Sequence, residues 1–579
     1  MVTTASAGER SPARWQRLLP GLVVLRHYER AWLRGDVVGG VTVAAYLVPQ
    51  VMAYATLAGL DPVVGLWATI GPLLVYLLLG SSRELSVGPE STTALMTAAA
   101  IAGLSGGLAP ERVADIAAAL AICVGLVALL GWVARLGFLA DLLSKPVLIG
   151  FMTGIAVLMV TSQLGAISGI SIEADNPYGE VVAFLTGLGG VHLPTLLLGV
   201  AGLVLLFVLR AVAPKVPGTL VFVALAALAS WLFDLGGRGV ALVGEVPRGL
   251  SVPGLPDVTG LDLAPLLVAA VGVALVAYSD MVLVGRSFAA GRGEQIDPRQ
   301  EFLALGATNL AAGLSAGMPV SCSGSRVAVG HAAGTRTQLH ALVAAAAIIA
   351  VMFVGGPVLA LFPKAALAAV VVHAGIRLVD VADWRRLARF RHSELVLAVL
   401  TALGVMFLGV LVGIGIAVGL SVLDLLRRLA RPHDGILGRA PGVAGMHDID
   451  DYPDAVQVPG LVVYRYDAPL FFANADNFIH RALDAVDTAT SPARWLLINA
   501  EANVEVDLTA VDALVTLHEE LDKRGVVLAL ARVKQDLRDQ LARAGIIDLV
   551  GEQFIFATLP TAEEAYEQWA LEHPAGPTG

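Results

Sequence analysis

The sequence predicts an α-helical membrane protein with fourteen spans, followed by a small α/β domain. Three observations support this fold class. Of the 579 residues, 56% are hydrophobic and only 15% are charged, and the mean hydropathy is +0.76, which soluble globular proteins do not show. Charges are sparse from Val37 to Leu426 and dense from Arg427 onward. Strand-like and helix-like segments alternate only in that last, charged part.

Composition also excludes several classes of protein. The formal net charge is −10 and no basic stripe marks the C-terminal part, so we expect no nucleic-acid partner. Cys123 and Cys322 lie in separate apolar runs, which indicates neither a disulfide framework nor a metal site. Because the sequence has no nucleophile–base constellation and no metal-ligand spacing, we expect neither an enzyme nor a cofactor.

Residues 1–34 are predicted to form a cytoplasmic arm on the membrane surface. Their apolar stretch Leu18–Leu25 is short and contains a proline. It is followed by charged residues such as Arg26 and Glu29 rather than by a small-residue cleavage site, so it does not have the pattern of a secretory signal.

The predicted spans lie between residues 35 and 431, which we take as one transmembrane domain. A spanning helix needs ~20 mainly apolar residues, or fewer where protein surrounds it. In chain order the segments are Val37–Tyr54, Val63–Leu79, Glu90–Leu104, Val113–Leu136, Pro146–Leu164, Leu193–Val212, Thr219–Phe233, Leu263–Phe288, Phe302–Leu314, Cys322–Gly334, Leu339–Gly355, Ala365–Leu378, Glu394–Leu408 and Gly409–Leu426. The last two share one glycine-rich run, which leaves the position of their division open.

Loop charges predict the orientation of these spans. Basic residues follow the even-numbered spans, for example Arg83 after the second and Arg336 after the tenth. Acidic residues such as Glu173 and Asp175 follow odd-numbered spans. Since cytoplasmic loops carry an excess of Lys and Arg, this alternation predicts an even number of spans in the plasma membrane, with both termini in the cytoplasm.

Two predicted spans are short and are preceded by proline and small polar residues. Glu90–Leu104 follows Ser86–Pro89, and Cys322–Gly334 follows Pro319. They are the third spans of the first and second seven. Interrupted segments at matching positions of two halves point to a transporter's binding site. Because seven is odd, the halves have opposite orientations, so the sequence predicts a seven-plus-seven inverted repeat.

Ionisable residues inside spans are costly, at ~2.5–3.5 kcal/mol or more, and are therefore expected to be functional. Glu90 begins the third span, Asp280 lies in the middle of the eighth, and Arg326 follows three serines at the start of the tenth, namely Ser321, Ser323 and Ser325. Two half-helices with facing N-termini, together with Arg326, would bind an anion such as sulfate, bicarbonate or a carboxylate. Asp280 and Glu90 would bind a coupling proton or Na⁺.

Each of these residues also has a purely structural interpretation. Glu90 would cap its helix, Asp280 and Arg326 would form an ion pair, and the three serines would satisfy the N–H groups of the broken helix. Gln50 and Tyr54, near the middle of the first span and after Pro49, would pack between helices. From the sequence alone, replacing Arg326 by Ala is expected to abolish anion binding and to leave the fold intact.

The C-terminal part is predicted to comprise a linker at 432–445 and a soluble α/β domain at 446–579. Predicted strands are Leu461–Tyr466, Leu470–Phe472, Trp495–Ala500, Val526–Ala531 and Phe554–Phe556, and predicted helices are Ala475–Val486, Thr509–Lys523, Val533–Ala544 and Thr561–Leu571. Thr509 is a candidate regulatory residue, through phosphorylation or a partner contact. Alternatively, it is the N-cap of its helix, with Asp512 completing a box-like cap.

Three stretches of the membrane part resemble the SulP family of anion permeases, to which the motor protein prestin also belongs. They are Leu47–Ala55 (LVPQVMAYA), Gly80–Pro89 (GSSRELSVGP) and Pro319–Arg326 (PVSCSGSR). The tail, with Tyr464–Asn474 (YRYDAPLFFAN), is similar to the STAS domain that ends most members. The resemblance extends from about Gly35 to the end of the chain.

This resemblance implies a substrate-carrying core of spans one to four and eight to eleven, and a gate of spans five to seven and twelve to fourteen that makes homodimer contacts. Transport would be an elevator-like movement of core against gate. Gln50, Tyr54, Ser325 and Arg326 fall on positions that match anion-site residues of the family. Glu90 falls where some relatives have an aromatic residue.

Asp280 matches the acid that serves cation coupling in some members of the family. The Na⁺-coupled bicarbonate members have a hydroxyl residue one helical turn later, where this chain has Val284, so we expect coupling to protons rather than to Na⁺. The leading hypothesis is proton-coupled sulfate uptake. The alternatives are bicarbonate or dicarboxylate symport with H⁺ or Na⁺, an uncoupled anion channel, and an anion sensor.

The predicted site residues form three groups. The candidates for substrate binding are Gln50, Tyr54, Glu90, Ser91, Ser321, Ser323, Ser325 and Arg326. The candidates for cation coupling are Asp280 and Glu90, and the candidate for regulation is Thr509. The expected partners are a small anion, a coupling proton, the lipid membrane and a second copy of the chain.

Overall fold

A computed structural model describes residues 18–104, 110–137, 144–172, 177–213, 216–290 and 292–574. The first half of the predicted arm, the acidic loop residues Glu173 and Asp175, and the last five residues of the predicted tail domain lie outside these ranges. The chain folds into two compact units, divided after Ser421.

In the described part of the chain, a helix occupies each of the fourteen predicted spans. The bounds are α1 Leu33–Leu57, α2 Pro62–Leu79, α3 Ser91–Leu104, α4 Pro110–Val133, α5 Lys145–Thr161, α6 Leu193–Val212, α7 Gly218–Phe233, α8 Leu263–Ala290, α9 Pro298–Leu314, α10 Gly324–Ala333, α11 Leu339–Val354, α12 Lys364–Leu378, α13 His392–Leu408 and α14 Val410–Ala430. Among the described residues, seven helical segments are long and apolar enough to cross a membrane, and α3, α7, α11 and α13 are apolar but shorter.

Short helices join or precede some of these spans. They are Pro20–Arg26 before α1, Leu164–Ser168 and Pro177–Thr186 between α5 and α6, Gly356–Leu359 before α12, and Val381–Phe390 between α12 and α13. The last of these carries three arginines of the basic loop after the twelfth predicted span, Arg385, Arg386 and Arg389.

Helix packing confirms the predicted inverted repeat. Contacts of α1 with α11 and of α2 with α11 have their counterparts in contacts of α8 with α4 and of α9 with α4. Likewise α3 packs on α8 as α10 packs on α1, and α5 packs on α13 as α12 packs on α6. Each contact therefore recurs when the first seven helices are exchanged for the second seven. The contacts of α5 with α13 and of α12 with α6 lie within the predicted gate, and all the others lie within the predicted core.

Two very short strands precede the half-helices α3 and α10. Strand β1 is Val87–Gly88 and strand β2 is Ser321–Cys322, and they pair antiparallel with Gly88 opposite Ser321. The Asn309 side chain holds the residue before β2, since its Oδ1 accepts from the Val320 N–H at 2.9 Å and its Nδ2 donates to the Val320 carbonyl at 3.0 Å. The pairing of β1 with β2 places the starts of the two half-helices side by side.

The second unit contains a six-stranded sheet in the order β4-β3-β5-β6-β7-β8. Its strands are β3 Asp434–Arg439, β4 Met446–Asp448, β5 Leu461–Tyr466, β6 Trp495–Asn499, β7 Val527–Ala531 and β8 Ile555–Phe556. Its helices are α15 Ala475–Asp487, α16 Leu508–Lys523, α17 Gln535–Arg543, α18 Ile546–Val550 and α19 Leu559–Glu572. Strand β3 runs antiparallel to β4 and β5, and the remaining pairs are parallel. Alternate residues of β5 enter two apolar cores on opposite faces of the sheet.

Two expectations about this unit are wrong. The predicted linker at 432–445 contains β3, which pairs with β5 from Asp434–Tyr466 to Leu437–Val463. Gly435 and Gly438 hid this strand, because glycine has low strand propensity. The predicted strand Leu470–Phe472 is absent from the described sheet. Side chains take its N–H groups instead, with Phe471 N–H donating to Asn474 Oδ1 at 2.9 Å and Phe472 N–H donating to an Asp507 oxygen at 2.8 Å.

Candidate anion-binding site

A cavity of about 380 Å³ lies between helices α1, α3, α8 and α10 of the core and α5, α7 and α12 of the gate. Most of the predicted site residues line it, namely Gln50, Tyr54, Glu90, Ser91, Asp280, Ser323 and Ser325. Two predicted residues, Ser321 and Arg326, are fully buried and lie outside this wall.

Helix α1 supplies a polar stripe to the cavity. Tyr46, Gln50 and Tyr54 follow one another at intervals of four residues and therefore share one helical face. The Gln50 Nε2 donates to the Tyr54 hydroxyl at 3.0 Å. Because that hydroxyl accepts from Gln50, its own hydrogen is available to a ligand in the cavity. Gln50 and Tyr54 thus do more than pack between helices.

Glu90 caps helix α3. One carboxylate oxygen accepts from the N–H groups of Thr92 at 2.8 Å and Thr93 at 3.4 Å, and the other accepts from the Ser91 hydroxyl at 2.5 Å. The structural interpretation of Glu90 is therefore observed. Since a carboxylate already satisfies these N–H groups, the start of α3 is not open to a second anion.

The start of α10 differs from the start of α3. Ser323 occupies the N-cap position but its side chain makes no capping hydrogen bond. Its hydroxyl lies 2.9 Å from the Ser325 hydroxyl, and both line the cavity. The serines therefore do not satisfy the helix N–H groups. A helix N-terminus supplies N–H donors and partial positive charge, so an anion is best placed at the α10 end of the cavity.

Arg326 has a different role from the one its position suggested. Its guanidinium donates to the carbonyls of Pro89 at 2.5 Å, Gly88 at 3.2 Å and Ser86 at 3.4 Å. It thus joins α10 to the segment before α3. Among the described residues, Arg326 neither lines the cavity, as expected for a direct anion ligand, nor forms the alternative ion pair with Asp280. Similarly, the Ser321 hydroxyl donates to the Ala277 carbonyl of α8 at 3.1 Å.

Asp280 lies on α8, half-buried in the cavity wall. No hydrogen bond or ion pair to its carboxylate is formed by the residues that the structure describes. Val284, one turn later, lines the same cavity and offers no oxygen atom. Val284 therefore supplies no second oxygen ligand for a metal cation beside the Asp280 carboxylate.

The gate contributes residues that were not predicted for the site. His373 and Arg377, one turn apart on α12, line the cavity, and so does Thr219 of α7. A second cavity of about 510 Å³ shares these residues and adds Arg210 of α6. Arg377 and Arg210 lie at the ends of the predicted twelfth and sixth spans, where basic residues indicate only the orientation of a span. The four-residue spacing of His373 and Arg377, which places them on one face of α12, is a signal that the sequence contains. The same spacing along α1 would have indicated Tyr46 beside Gln50 and Tyr54.

Thr509 of the second unit is exposed and is not the N-cap of its helix. Asp507 is the N-cap, and its carboxylate accepts from the Ala510 N–H at 2.8 Å. The capping interpretation of Thr509 is therefore wrong, because an Asp stands two residues earlier at the helix start. Its regulatory role stays a prediction.

An inverted-repeat helical domain with two broken helices beside one cavity defines a secondary transporter. The chain belongs to the sulfate permease family, whose model matches residues 33–401, and the model of the STAS domain matches residues 452–562. Family membership confirms the prediction of a membrane transporter rather than an enzyme.

Similar proteins span the whole chain. A protein of Mycobacterium tuberculosis (strain ATCC 25618 / H37Rv), named as a probable sulfate transporter, is 54% identical over 549 residues, which are 95% of this chain and 98% of that protein. High affinity sulfate transporter 2 of Stylosanthes hamata is 28% identical over 574 residues, covering 95% and 86% of the two chains.

Solved structures support the fold. The murine solute carrier 26 family member A9 anion transporter, in the inward-facing state, matches with a TM-score of 0.88 at 22% identity and covers 98% of this chain and 96% of its own. The transmembrane domain of the cyanobacterial bicarbonate transporter BicA matches with a TM-score of 0.57 at 22% identity, covering 68% of this chain and 98% of its own.

Proposed function

We propose that this protein takes up sulfate by symport with protons. The observation that carries the proposal is one cavity that joins the uncapped start of α10 to two carboxylates, Glu90 and Asp280. Relatives that are 54% and 28% identical are named as sulfate transporters, which favours sulfate over other oxyanions of similar size.

Sulfate is a tetrahedral dianion that accepts hydrogen bonds in every direction. In this cavity the available donors are the N–H groups at the start of α10, the Ser325 hydroxyl and the Tyr54 hydroxyl. Arg326 lies behind the cavity wall and holds α10 against the segment before α3. Its positive charge also lowers the energy of an anion nearby, since the surroundings are poorly solvated.

The two carboxylates account for the coupling. A dianion beside ionised Glu90 and Asp280 is repelled by both, and a proton on Asp280 removes one of these charges. Sulfate and the proton therefore favour each other's binding, and this coupling is reciprocal. In our proposal the proton binds Asp280 rather than Glu90, because the Glu90 carboxylate already accepts three hydrogen bonds at the start of α3.

The cavity walls suit an elevator-like movement. The core provides most of the polar residues, and besides Thr219, His373 and Arg377 the gate faces them with apolar side chains such as Leu148, Met152 and Val370. Apolar surfaces have no directional bonds to break when one slides over the other. We infer that α1, α3, α8 and α10 carry the anion past a comparatively static gate.

Uptake into proteoliposomes tests the proposal. With an inward proton gradient, the purified protein should accumulate radiolabelled sulfate, and Asp280→Asn should bind sulfate without responding to the gradient. Asp61→Asn is the matched control, because Asp61 is exposed and makes no capping bond. Uptake driven by Na⁺ rather than by protons would contradict the coupling.

The same assay distinguishes the substrate and the class of transporter. Unlabelled bicarbonate or succinate should compete poorly with sulfate. If either competes better than unlabelled sulfate, the assignment of sulfate as the substrate is wrong. Anion currents far above carrier rates would replace the symporter by a channel.

We further propose a homodimer in the plasma membrane with both termini in the cytoplasm. The alternation of loop charges supports the orientation. Exposed apolar side chains on α13 and α14, such as Phe407 (67% exposed) and Leu423 (61%), are suited to contact lipid or a second copy. Crosslinking in native membranes should give a dimer, and a tag on either terminus should be protected in sealed right-side-out vesicles.

A further inference from the structure

The helix Val381–Phe390 lies between α12 and α13 and has no role in the transport cycle proposed above. Here it is named the interfacial helix. It begins three residues after α12 ends at Leu378, and Arg391 alone separates it from α13. Asp380 caps it, accepting from the N–H groups of Ala382 at 2.8 Å and Asp383 at 3.1 Å. Two spans thus hold its ends at the membrane boundary.

One face of the interfacial helix is docked on the gate. Leu387 is buried, the Trp384 Nε1 donates to the Thr153 hydroxyl of α5 at 2.9 Å, and Asp383 pairs with Lys145 of α5 at 2.7 Å. The only carboxylate inside the helix is therefore neutralised by a lysine. These contacts fix which side of the helix faces away from the protein.

The opposite side is basic. It presents three exposed arginines, Arg385, Arg386 and Arg389, and the exposed Arg391 follows directly after the helix. Among the described residues, no carboxylate pairs with any of these four guanidinium groups. Four unpaired cations within seven residues repel one another, and anionic groups from outside the chain would offset this repulsion.

Exposed apolar side chains flank these arginines. Phe390 is 66% exposed and Val381 is 54% exposed, one at each end of the interfacial helix. The Arg391 guanidinium lies 5.6 Å from the Phe390 ring centre, which leaves its N–H donors free. A helix with arginines beside apolar side chains lies in the plane of a membrane interface, with the apolar groups at the acyl boundary.

We propose that the interfacial helix is a binding site for anionic phospholipids of the leaflet that faces the basic loops. The guanidinium groups bind the headgroup phosphates through paired N–H donors, and Phe390 and Val381 contact the acyl chains. The free phosphate of a soluble metabolite would gain only the first of these contacts. Because Asp383 and Trp384 join the helix to α5, bound lipid anchors the gate in the bilayer.

The test uses the purified full-length protein in non-ionic detergent. Phosphatidylglycerol, phosphatidylcholine and the soluble headgroup analogue glycerol 3-phosphate are titrated separately. Binding is read from the thermal unfolding midpoint and from the lipids retained in native mass spectrometry. Phosphatidylglycerol alone should stabilise the wild-type protein and be retained.

The triple variant Arg385→Gln, Arg386→Gln, Arg389→Gln should need about tenfold more phosphatidylglycerol, or fail to retain it, because each basic residue contributes to anionic-lipid affinity. Its matched control removes three exposed charges from the second unit, Arg524→Gln, Arg532→Gln and Arg538→Gln, and should bind like wild type. If the triple variant does not fold, the single reversal Arg386→Glu carries the test. Wild-type affinity in the folded variant, or equal stabilisation by glycerol 3-phosphate, would overturn the proposal.

Discussion

Replacing Arg326 by Met should destabilise the protein as well as weaken sulfate binding. The Arg326 side chain is fully buried, and its guanidinium donates to the carbonyls of Pro89 at 2.5 Å and Gly88 at 3.2 Å. A hydrogen bond from a charged donor contributes ~1.5–3 kcal/mol. Counting these two bonds, the expected loss in the free energy of unfolding is ~3–6 kcal/mol. Met is chosen because its length and flexibility fill most of the space.

The assay is thermal unfolding of the purified protein with and without sulfate. Arg326→Met should lower the unfolding midpoint already without sulfate, and the sulfate-dependent increase should be lost. Ser325→Ala is the comparison, since Ser325 lines the cavity and, among the described residues, its hydroxyl bonds only to the Ser323 hydroxyl. It should keep the midpoint without sulfate and reduce the sulfate-dependent increase. If Arg326→Met keeps the wild-type midpoint but loses the sulfate effect, Arg326 does not stabilise the fold through the Pro89 and Gly88 carbonyls and is instead a direct anion ligand.

Three further predictions concern other parts of the chain. Asp36→Ala should destabilise the membrane unit by ~2–4 kcal/mol in thermal unfolding, because its buried carboxylate accepts from two backbone N–H groups and two hydroxyls. Asp507→Ala should cost ~1 kcal/mol and Thr509→Ala much less, since only the former is an N-cap. Burial raises the pKa of Tyr466 to about 12. An unfolded tyrosine ionises near ~10, so circular dichroism should show the second unit losing stability as pH rises through this interval. Burial also raises the pKa values of Tyr464 and Tyr566 in this unit, so Tyr466→Phe should reduce the loss without removing it.

The fold was predictable because its signals are local. Hydropathy marks each helix, and loop charges alternate with each crossing. Proline and small polar residues mark the broken helices in the sequence, as in Pro319–Arg326. Seven of the predicted site residues line the cavity, whereas the gate residues Thr219, His373 and Arg377 were not predicted. Strand β3 was missed, because its glycines weaken the strand pattern and its partner β5 lies more than twenty residues later.

Composition and spacing along the chain therefore sufficed to predict a lipid-embedded part and a water-exposed part, the inverted repeat and the polar residues near the broken helices. What each polar group does depends on partners that the folded chain brings together. Arg326 is separated by 237 residues from the Pro89 carbonyl that it binds, and Glu90 closes one helix start while the other stays open. Hydrogen bonds act over about 3 Å, so these roles depend on contacts that no local pattern records.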